Sequence, residues 1–584
     1  TDMVTYGRGN NNGLRLLNGA GFSNEYTTNF LTTNANIKIS SATAAITSQI
    51  NSLILDSGAS ITNPGSAQTI TFMSGNILNL EASGSIAGAN TTLAAGAVEF
   101  SISTPQSLTI SSLITTTGGL TKGGTGTLTF STAKTYTGLT SVNDGTLIYG
   151  INDAISSGAV TVNDATLDIA TFTDTVGAVV VQGGTITGTS GVLTATSYDL
   201  RAATINAILA GSGTLTVVNP NERTDAVTTL SRDNTFTGSI ALTSGVLKLG
   251  GAGGGSNTPL GTTAAGITMT SGAMLDLNGY TLVTSEAISA TGTGIALQGA
   301  IINSSASTVT YNGVITQTAA ARIGANYGKI IIGTGGITGT FNLTLGGFGD
   351  IDVTSAITIS TGTITKDGFG IYTPSSASST YTGLTTVSAG TLKLGVSGGA
   401  TNTPLGTNAG GVTVTAGATL DMNGFSLATV ADTLTINGTG SGTGDFAAGA
   451  LVNSSGTGVT YVGAIVLGSA TTVKSNSGTI TLTTGGITGA FALTLGGTAS
   501  STISGVIATA AGTIIKIDTG TWTLSSVNTY TGAATIYQGT IKNGIAAAAG
   551  GGPLGTAAGA TTIFSGGVLD MNGFSLSALA EGLT

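Results

Sequence analysis

One phrase, "STYTGLTTVSAGTLKLG" at residues 379–395, constrains the fold most, because variants of it occur four times in the 584-residue chain. The other copies are "KTYTGLTSVNDGTLIYG" at 134–150, "NTFTGSIALTSGVLKLG" at 234–250 and "NTYTGAATIYQGTIKNG" at 528–544. Tandem copies of this length are typical of repeat architectures, in which each unit packs against its neighbours.

Each copy is marked by an aromatic residue and by the glycine two positions later. These marker pairs are Tyr136 and Gly138, Phe236 and Gly238, Tyr381 and Gly383, and Tyr530 and Gly532. In the last three copies a Pro-Leu-Gly segment and then a Leu-Asp-Leu/Met-Asn-Gly segment follow at constant distances. The spacing predicts a β-rich start or cap at 1–117, a shorter unit at 118–233, full units at 234–378 and 379–527, and a partial unit at 528–584. Since the last copy stops partway, we expect a longer array.

The segments between these markers read as short β-strands. In "GTLKLG", Leu392 and Leu394 share one face while Thr391 and Lys393 take the other, which is the period of a half-buried strand. Charged residues make up 7% of the chain and mean hydropathy is +0.39, which argues against disorder. Tandem, open-ended repeats favour a solenoid over a sandwich or barrel. The sequence therefore predicts an all-β protein, a parallel β-solenoid that forms an elongated rod with roughly 20 residues per coil.

Composition excludes several functions. The chain has no His and no Cys, which excludes Ser-His-Asp and Cys-His catalysis, disulfides and His- or Cys-ligated metals. Its net charge of −9 argues against binding to nucleic acid or to anionic membranes. No apolar run is long enough to span a membrane as a helix. We expect no enzyme activity and no cofactor. A polysaccharide lyase or hydrolase needs clustered carboxylates, and only residues 222–233 are densely charged.

The Leu-Asp-Leu/Met-Asn-Gly segments contain the only candidate metal ligands, Asp276, Asp421 and Asp570. Carboxylate oxygens suit calcium, but each segment supplies one carboxylate and the copies are too far apart to share an ion. The alternative is a strand end followed by an Asn-Gly turn, which we favour.

Two other positions in the repeat have open interpretations. The marker aromatics could form a sugar-stacking row, but a ring that covers a coil edge or packs under the adjacent loop is the better interpretation. Lys122, Lys366 and Lys516 could contact an anion or a neighbouring molecule, but we predict solvated side chains that discourage edge pairing. Trp522 occupies the position that Leu128 holds in the first copy, and we predict a larger core or capping residue rather than a binding site. Asn303 and Asn453 begin glycosylation-type sequons, which occur by chance in such a chain.

Residues 118–150, "GGLTKGGTGTLTFSTAKTYTGLTSVNDGTLIYG", closely resemble the autotransporter-associated β-strand repeat, which recurs in passenger regions of exported bacterial surface proteins. The match rests on Lys122, Gly126, Tyr136, Gly138 and Gly145. The resemblance implies a secreted, right-handed β-helix at the bacterial cell surface, without naming a ligand. We therefore expect an extracellular structural protein that self-associates into a filament, sheath or surface layer. The alternative is an adhesin that binds glycan or a host surface through loops at 250–261, 395–406 and 546–555.

Overall fold

The computed structural model describes residues 4–6, 14–16, 26–218, 226–254, 256–262, 264, 266–282, 286–429, 431–442, 447–548, 550–577 and 582–584. Over these residues the chain is an all-β parallel β-solenoid of about 23 turns, which confirms the predicted fold class. The helical content of the described residues is a 3₁₀ turn at Ile295–Leu297. The structure divides into two compact units, Thr1–Thr268 and Met269–Thr584.

The strands of the first unit mostly have two to four residues. They are β1 (Val4–Tyr6), β2 (Leu14–Leu16), β3 (Tyr26–Thr27), β4 (Asn36–Ile39), β5 (Ala42–Ala44), β6 (Ser48–Leu55), β7 (Ser60–Thr62), β8 (Gln68–Asn79), β9 (Ser83–Ile86), β10 (Thr91–Ala94), β11 (Phe100–Ser103), β12 (Ser107–Ile110), β13 (Leu113–Thr115), β14 (Leu120–Gly123), β15 (Thr127–Phe130), β16 (Thr140–Val142), β17 (Thr146–Tyr149), β18 (Val160–Asn163), β19 (Thr166–Asp168), β20 (Asp174–Gln182), β21 (Thr185–Arg201), β22 (Thr204–Ala210), β23 (Leu215–Val217), β24 (Val227–Leu230), β25 (Ile240–Leu242), β26 (Val246–Leu249), β27 (Asn257–Thr258), β28 (Gly261–Thr262) and β29 (Ile267–Met269), within which the division falls.

The second unit continues the pattern. Its strands are β30 (Met274–Asp276), β31 (Ile288–Gly292), β32 (Ile301–Asn303), β33 (Val309–Tyr311), β34 (Ile315–Ala325), β35 (Ile330–Ile332), β36 (Ile337–Thr338), β37 (Leu343–Gly347), β38 (Ile351–Val353), β39 (Ile357–Thr358), β40 (Ile364–Lys366), β41 (Ile371–Pro374), β42 (Thr385–Val387), β43 (Gly390–Lys393), β44 (Val412–Val414), β45 (Ala418–Asp421), β46 (Leu434–Gly438), β47 (Leu451–Asn453), β48 (Val459–Tyr461), β49 (Ile465–Ser475), β50 (Ile480–Leu482), β51 (Ile487–Thr488), β52 (Leu493–Gly497), β53 (Ser501–Ile503), β54 (Ile507–Ala508), β55 (Ile514–Lys516), β56 (Thr521–Leu524), β57 (Ala534–Ile536), β58 (Gly539–Asn543), β59 (Thr561–Ile563) and β60 (Gly567–Asp570).

Each coil stacks on the next through parallel ladders. In the first unit, Leu128 of β15 lies beside Leu108 of the preceding coil and Leu147 of the following coil, 20 residues before it and 19 after it. All three leucines are buried, while the intervening threonine Thr129 of β15 is half-buried on the outer side. In these coils aliphatic side chains thus fill the interior, and threonine hydroxyls lie on the outside.

The second unit has three parallel ladders, and a repeat does not return to the ladder on which it began. The first ladder runs through Thr385, Val412, Leu434, Ile465, Ile487 and Ile507. In the sequence repeat Ala534 is the equivalent of Thr385, but it belongs to the ladder that contains Leu392 and Leu420. Equivalent residues of these two copies therefore lie one face apart around the solenoid.

No helix in the described part of the chain combines the length and the apolar character that crossing a membrane requires.

Candidate functional site

The marker aromatic residues are core residues rather than a binding row. Tyr136, Phe236, Tyr381 and Tyr530 are each at most 1% exposed. The Pro-Leu-Gly segment covers the ring in the three copies that have one, since a Cβ on its glycine would lie within 3.0 Å of the ring, as the distances for Gly261, Gly406 and Gly555 show. A sugar could not reach a face of these rings, so the sugar-stacking hypothesis is wrong for the marker positions.

Two of the marker tyrosines, Tyr136 and Tyr381, also form a hydroxyl pair with a threonine inside the coil. The phenol of Tyr136 and the hydroxyl of Thr140 are 2.5 Å apart, and the same atoms of Tyr381 and Thr385 are 2.9 Å apart. Where the marker is Phe236, the residue four positions on is an isoleucine. Burial raises the pKa of Tyr136 and of Tyr381 well above its usual range, and the hydrogen bond to threonine opposes that shift only in part.

The marker glycines lie where successive coils touch backbone to backbone. A Cβ at Gly138, Gly238, Gly383 or Gly532 would lie 2.6, 1.9, 2.2 or 2.3 Å from a carbonyl oxygen of the preceding coil. These distances leave no space for a side chain at this corner. All four glycines therefore have a packing role.

An asparagine two residues before the ring joins three successive coils. The amide oxygen of Asn528 accepts the N–H of Ile507 at 2.8 Å, and its Nδ2 donates to the carbonyl of Pro553 at 2.7 Å. Asn234 makes both bonds to the equivalent groups of its own copy. The first copy has no Pro-Leu-Gly segment, and there Lys134 replaces the asparagine. In the second and fourth copies the loop is therefore anchored by an asparagine of the repeat itself.

The repeated lysines point into the coil, so the prediction of solvated side chains was wrong. Lys122, Lys366 and Lys516 are at most 1% exposed. Lys122 lies in ladder register with Ile102 and Val142, both inward-facing aliphatic residues. Alternation from Leu120 carried this signal in the sequence, because positions 120 and 122 share a face.

Each of these ammonium groups binds backbone carbonyls at the end of its strand. Lys516 donates to the carbonyl oxygens of Ile517, Asp518 and Gln538 at 2.5, 2.5 and 3.1 Å, the last of them on the next coil. The other two lysines make the equivalent three bonds. Burial lowers the pKa of all three to about 8, because the interior disfavours the charged form. The ammonium closes a turn and ties it to the next coil.

The Leu-Asp-Leu/Met-Asn-Gly segments are strand ends with Asn-Gly turns. The carboxylate of Asp421 accepts the N–H of Asn423 at 2.9 Å, and the N–H and hydroxyl of Ser454 at 3.1 and 2.6 Å. Asp276 accepts the equivalent three bonds, and Asp570 accepts the first of them. The asparagine and glycine of each turn have positive φ, as a type I′ turn requires.

The partners of these turns are the asparagines of the apparent sequons. Asn303 and Asn453 are fully buried. The amide oxygen of Asn453 accepts the N–H of Gly424 at 3.0 Å, and its Nδ2 donates to two carbonyls. Asn303 repeats this pattern. In the folded chain neither amide is accessible to a glycosylating enzyme, so these sequons are structural.

Two carboxyl groups are buried beside marker tyrosines. Asp174 and Asp432 are 3% and 1% exposed, and burial raises the pKa of each to about 6. Their charges interact with Tyr136 and Tyr381, respectively. Among the residues that the structure describes, no group of three or more acidic side chains is arranged to hold a metal ion. In the 222–233 cluster, residues 222, 223 and 225 lie outside the described residues.

Trp522 lies in the core, as the sequence predicts. It is fully buried on β56, in register with Ser501 and Ile541 of the neighbouring coils. Its indole Nε1 donates to the carbonyl oxygen of Gly496 at 3.0 Å. The chain's single tryptophan therefore reports on the packing of one coil.

The coils and their internal bonds define a β-solenoid repeat protein. The family model described as passenger-associated-transport-repeat matches residues 120–148, 226–249, 364–394 and 514–542. All four segments contain the marker pair of their copy. The segments of the first, third and fourth copies also contain the inward lysine. The chain therefore contains four passenger-associated-transport repeats, which match an autotransporter-associated repeat protein. Comparisons with curated proteins and with solved structures found no match.

Proposed function

We propose that the chain is a non-catalytic structural protein of the bacterial cell surface, a secreted passenger whose copies associate into a filament, sheath or surface layer. The observation that carries the proposal is where the repeated polar residues direct their hydrogen bonds. The inward lysines, the turn aspartates and the buried asparagines all bond to the chain's own backbone or to a neighbouring serine. A catalytic or ligand-binding group must instead face a space that substrate can enter.

The outer surface of the coils supports association between copies. The outward strand positions carry mainly Thr and Ser, and a charge content of 7% leaves little repulsion between copies. Half-exposed apolar side chains recur at the coil corners, at Leu139, Val314, Phe341, Leu384, Phe491 and Val506. Apolar corners on a polar surface with few charges provide sites for lateral packing.

Sedimentation velocity and electron microscopy of the purified chain over a range of concentrations test this proposal. We expect ordered assemblies that form without a partner. Replacing Phe341, Leu384 and Val506 by threonine should weaken assembly, while the control substitution Thr386→Ser on an outward strand position should not. A chain that stays monomeric at every concentration contradicts self-association.

The second candidate is an adhesin that binds through the Pro-Leu-Gly loops, and one observation favours it. Each loop is held in a fixed position: Thr403 and Gly406 exchange hydrogen bonds of 2.7 and 3.1 Å, and Leu405 is buried beneath the turn. Fixed loops reduce the entropy cost of binding. Replacing residues 395–408 by the loopless corner of the first copy tests it. Saturable binding to a glycan array that this graft abolishes, in a chain that does not assemble, favours the adhesin.

A further inference from the structure

Three aromatic side chains form a column on one corner of the second unit. Tyr327, Phe348 and Phe369 are 72%, 73% and 77% exposed. They occupy successive coils, because the N–H of Gly349 donates to Ala325 at 2.8 Å and the N–H of the next corner glycine repeats this contact. The rings of Phe348 and Phe369 are stacked, with centroids 5.8 Å apart and planes inclined by 29°. We refer to these three residues as the aromatic column.

The fold does not need the aromatic column. In the following repeat the equivalent positions are Ser477, Thr498 and Thr519. The strands around them nevertheless pair in the same registers, since β49 pairs with β52 as β34 pairs with β37. Large rings that stay three-quarters exposed gain little from burial. Their presence in one copy only points to contact with another molecule.

Ion pairs flank the column on both sides. Arg322 pairs with Asp367, which lies two residues before Phe369. On the following strands Lys329 pairs with Asp352 at 2.5 Å, and Lys329 lies two residues after Tyr327. All four charged side chains are partly exposed. The rings are therefore accompanied by two ion pairs whose groups can donate and accept hydrogen bonds.

The size of the aromatic column indicates what covers it. Three rings that are three-quarters exposed offer roughly 350–550 Å², the size of a functional patch on a monomer. A stable protein interface needs about 800 Å² from each partner, so the column alone is too small to hold a second copy. A sugar chain fits better, because its apolar C–H faces pack on rings while its hydroxyl groups bond to charged neighbours.

We propose that the aromatic column binds an uncharged polysaccharide that runs along the stacked coils. The sugar faces pack against the three rings, and the hydroxyl groups bond to the flanking Arg322–Asp367 and Lys329–Asp352 pairs. This site is separate from the Pro-Leu-Gly loops, and it does not depend on whether copies of the chain assemble.

The chain itself supplies the matched variants for a test. The triple variant Tyr327→Ser, Phe348→Thr and Phe369→Thr gives the column the residues of the following repeat. The control is Tyr537→Ser with Phe564→Thr, which removes another exposed stacked pair (centroids 4.8 Å apart) and installs the residues of the preceding copy. Affinity electrophoresis of the full chain in gels containing hydroxyethylcellulose, xylan, galactomannan or dextran measures binding. Circular dichroism confirms that each variant is folded.

We expect at least one of these polysaccharides to retard the wild-type chain and the control variant alike. The triple variant should bind it at least about tenfold more weakly, because the stacking contacts with all three rings are lost. Two results overturn the proposal: no retardation by any of the four polysaccharides, and equal retardation of the folded triple variant. If sedimentation velocity also shows that this equally retarded variant no longer assembles, the column is instead part of an interface between copies.

Discussion

The inward lysine Lys516 makes the stability of its coil change with pH in the neutral to alkaline range. Its pKa is lowered from 10.5 to about 8 in the folded chain, so between these values the unfolded chain binds more protons than the native one. The free energy of unfolding therefore rises with pH across this window. For one such lysine the gain is about 1.4 kcal/mol from about pH 7 to about pH 9. The substitution Lys516→Met removes the titrating group and should abolish that rise.

Trp522 provides the assay. It is fully buried on β56, the strand that follows Lys516 in the same coil, and it is the only tryptophan of the chain. Urea denaturation followed by tryptophan fluorescence at both pH values therefore reports on this coil rather than on the whole array. A local probe is needed because repeat proteins unfold in parts.

Lys542→Met is the matched control. This lysine lies on β58 of the next coil, but its side chain is 35% exposed and faces Asp570 at 3.5 Å. The control variant should keep the wild-type response to pH. If Lys516→Met shows the same increase between the two pH values as the wild type, or if the wild type shows none, the buried-ammonium interpretation is refuted.

Three further substitutions test the other internal contacts. Asp432→Asn should stabilise the chain by roughly 3 kcal/mol at neutral pH, because it removes a buried carboxylate whose pKa is raised to about 6. It should also remove the loss of stability that the wild type shows as the pH rises from about 4 to about 6, where the native state binds more protons than the unfolded state. Thermal unfolding at about pH 4 and about pH 6 measures this difference. Gly406→Ala should cost roughly 1–3 kcal/mol more than Gly417→Ala in urea denaturation. Both positions have positive φ, but a Cβ at Gly406 would lie 2.5 Å from a carbonyl oxygen and one at Gly417 meets nothing within 4 Å. Asn528→Ala should accelerate hydrogen exchange of the Ile507 amide, and Asn528→Ser should do so less, since the serine of the third copy still accepts one bond there; an unchanged exchange rate would contradict the three-coil link.

Alternation and turn chemistry made the coil predictable from the sequence. Leu392 and Leu394 are buried, with Lys393 half-buried between them, because a strand with one inward face has a period of two. Asn423 and Gly424 adopt φ of 49° and 80°, which the Asn-Gly pair favours at low cost. Such local rules need no knowledge of neighbouring coils.

The inward lysines were missed because a charged side chain is usually assigned to solvent. At Lys366 the alternation that starts at Ile364 predicts an inward side chain, whereas the charge of lysine predicts an outward one. The carbonyl oxygens that accept its bonds come partly from the next coil, where Ala389 lies 23 residues away. The sequence also does not show that equivalent residues of successive copies lie on different faces of the solenoid, because this offset depends on the summed length of several coils. Contacts set by stacking require the structure.

Lysine acylation of the native chain, read by mass spectrometry, tests most directly whether the repeated polar residues build the coil or form an accessible site. At about pH 8 the lowered pKa leaves the inward lysines partly neutral, and therefore reactive if a reagent can reach them. We predict protection of Lys122, Lys366 and Lys516, and modification of the partly exposed Lys38, Lys329, Lys393 and Lys542. Modification of the inward lysines at the rate of the exposed ones would contradict their role in the scaffold.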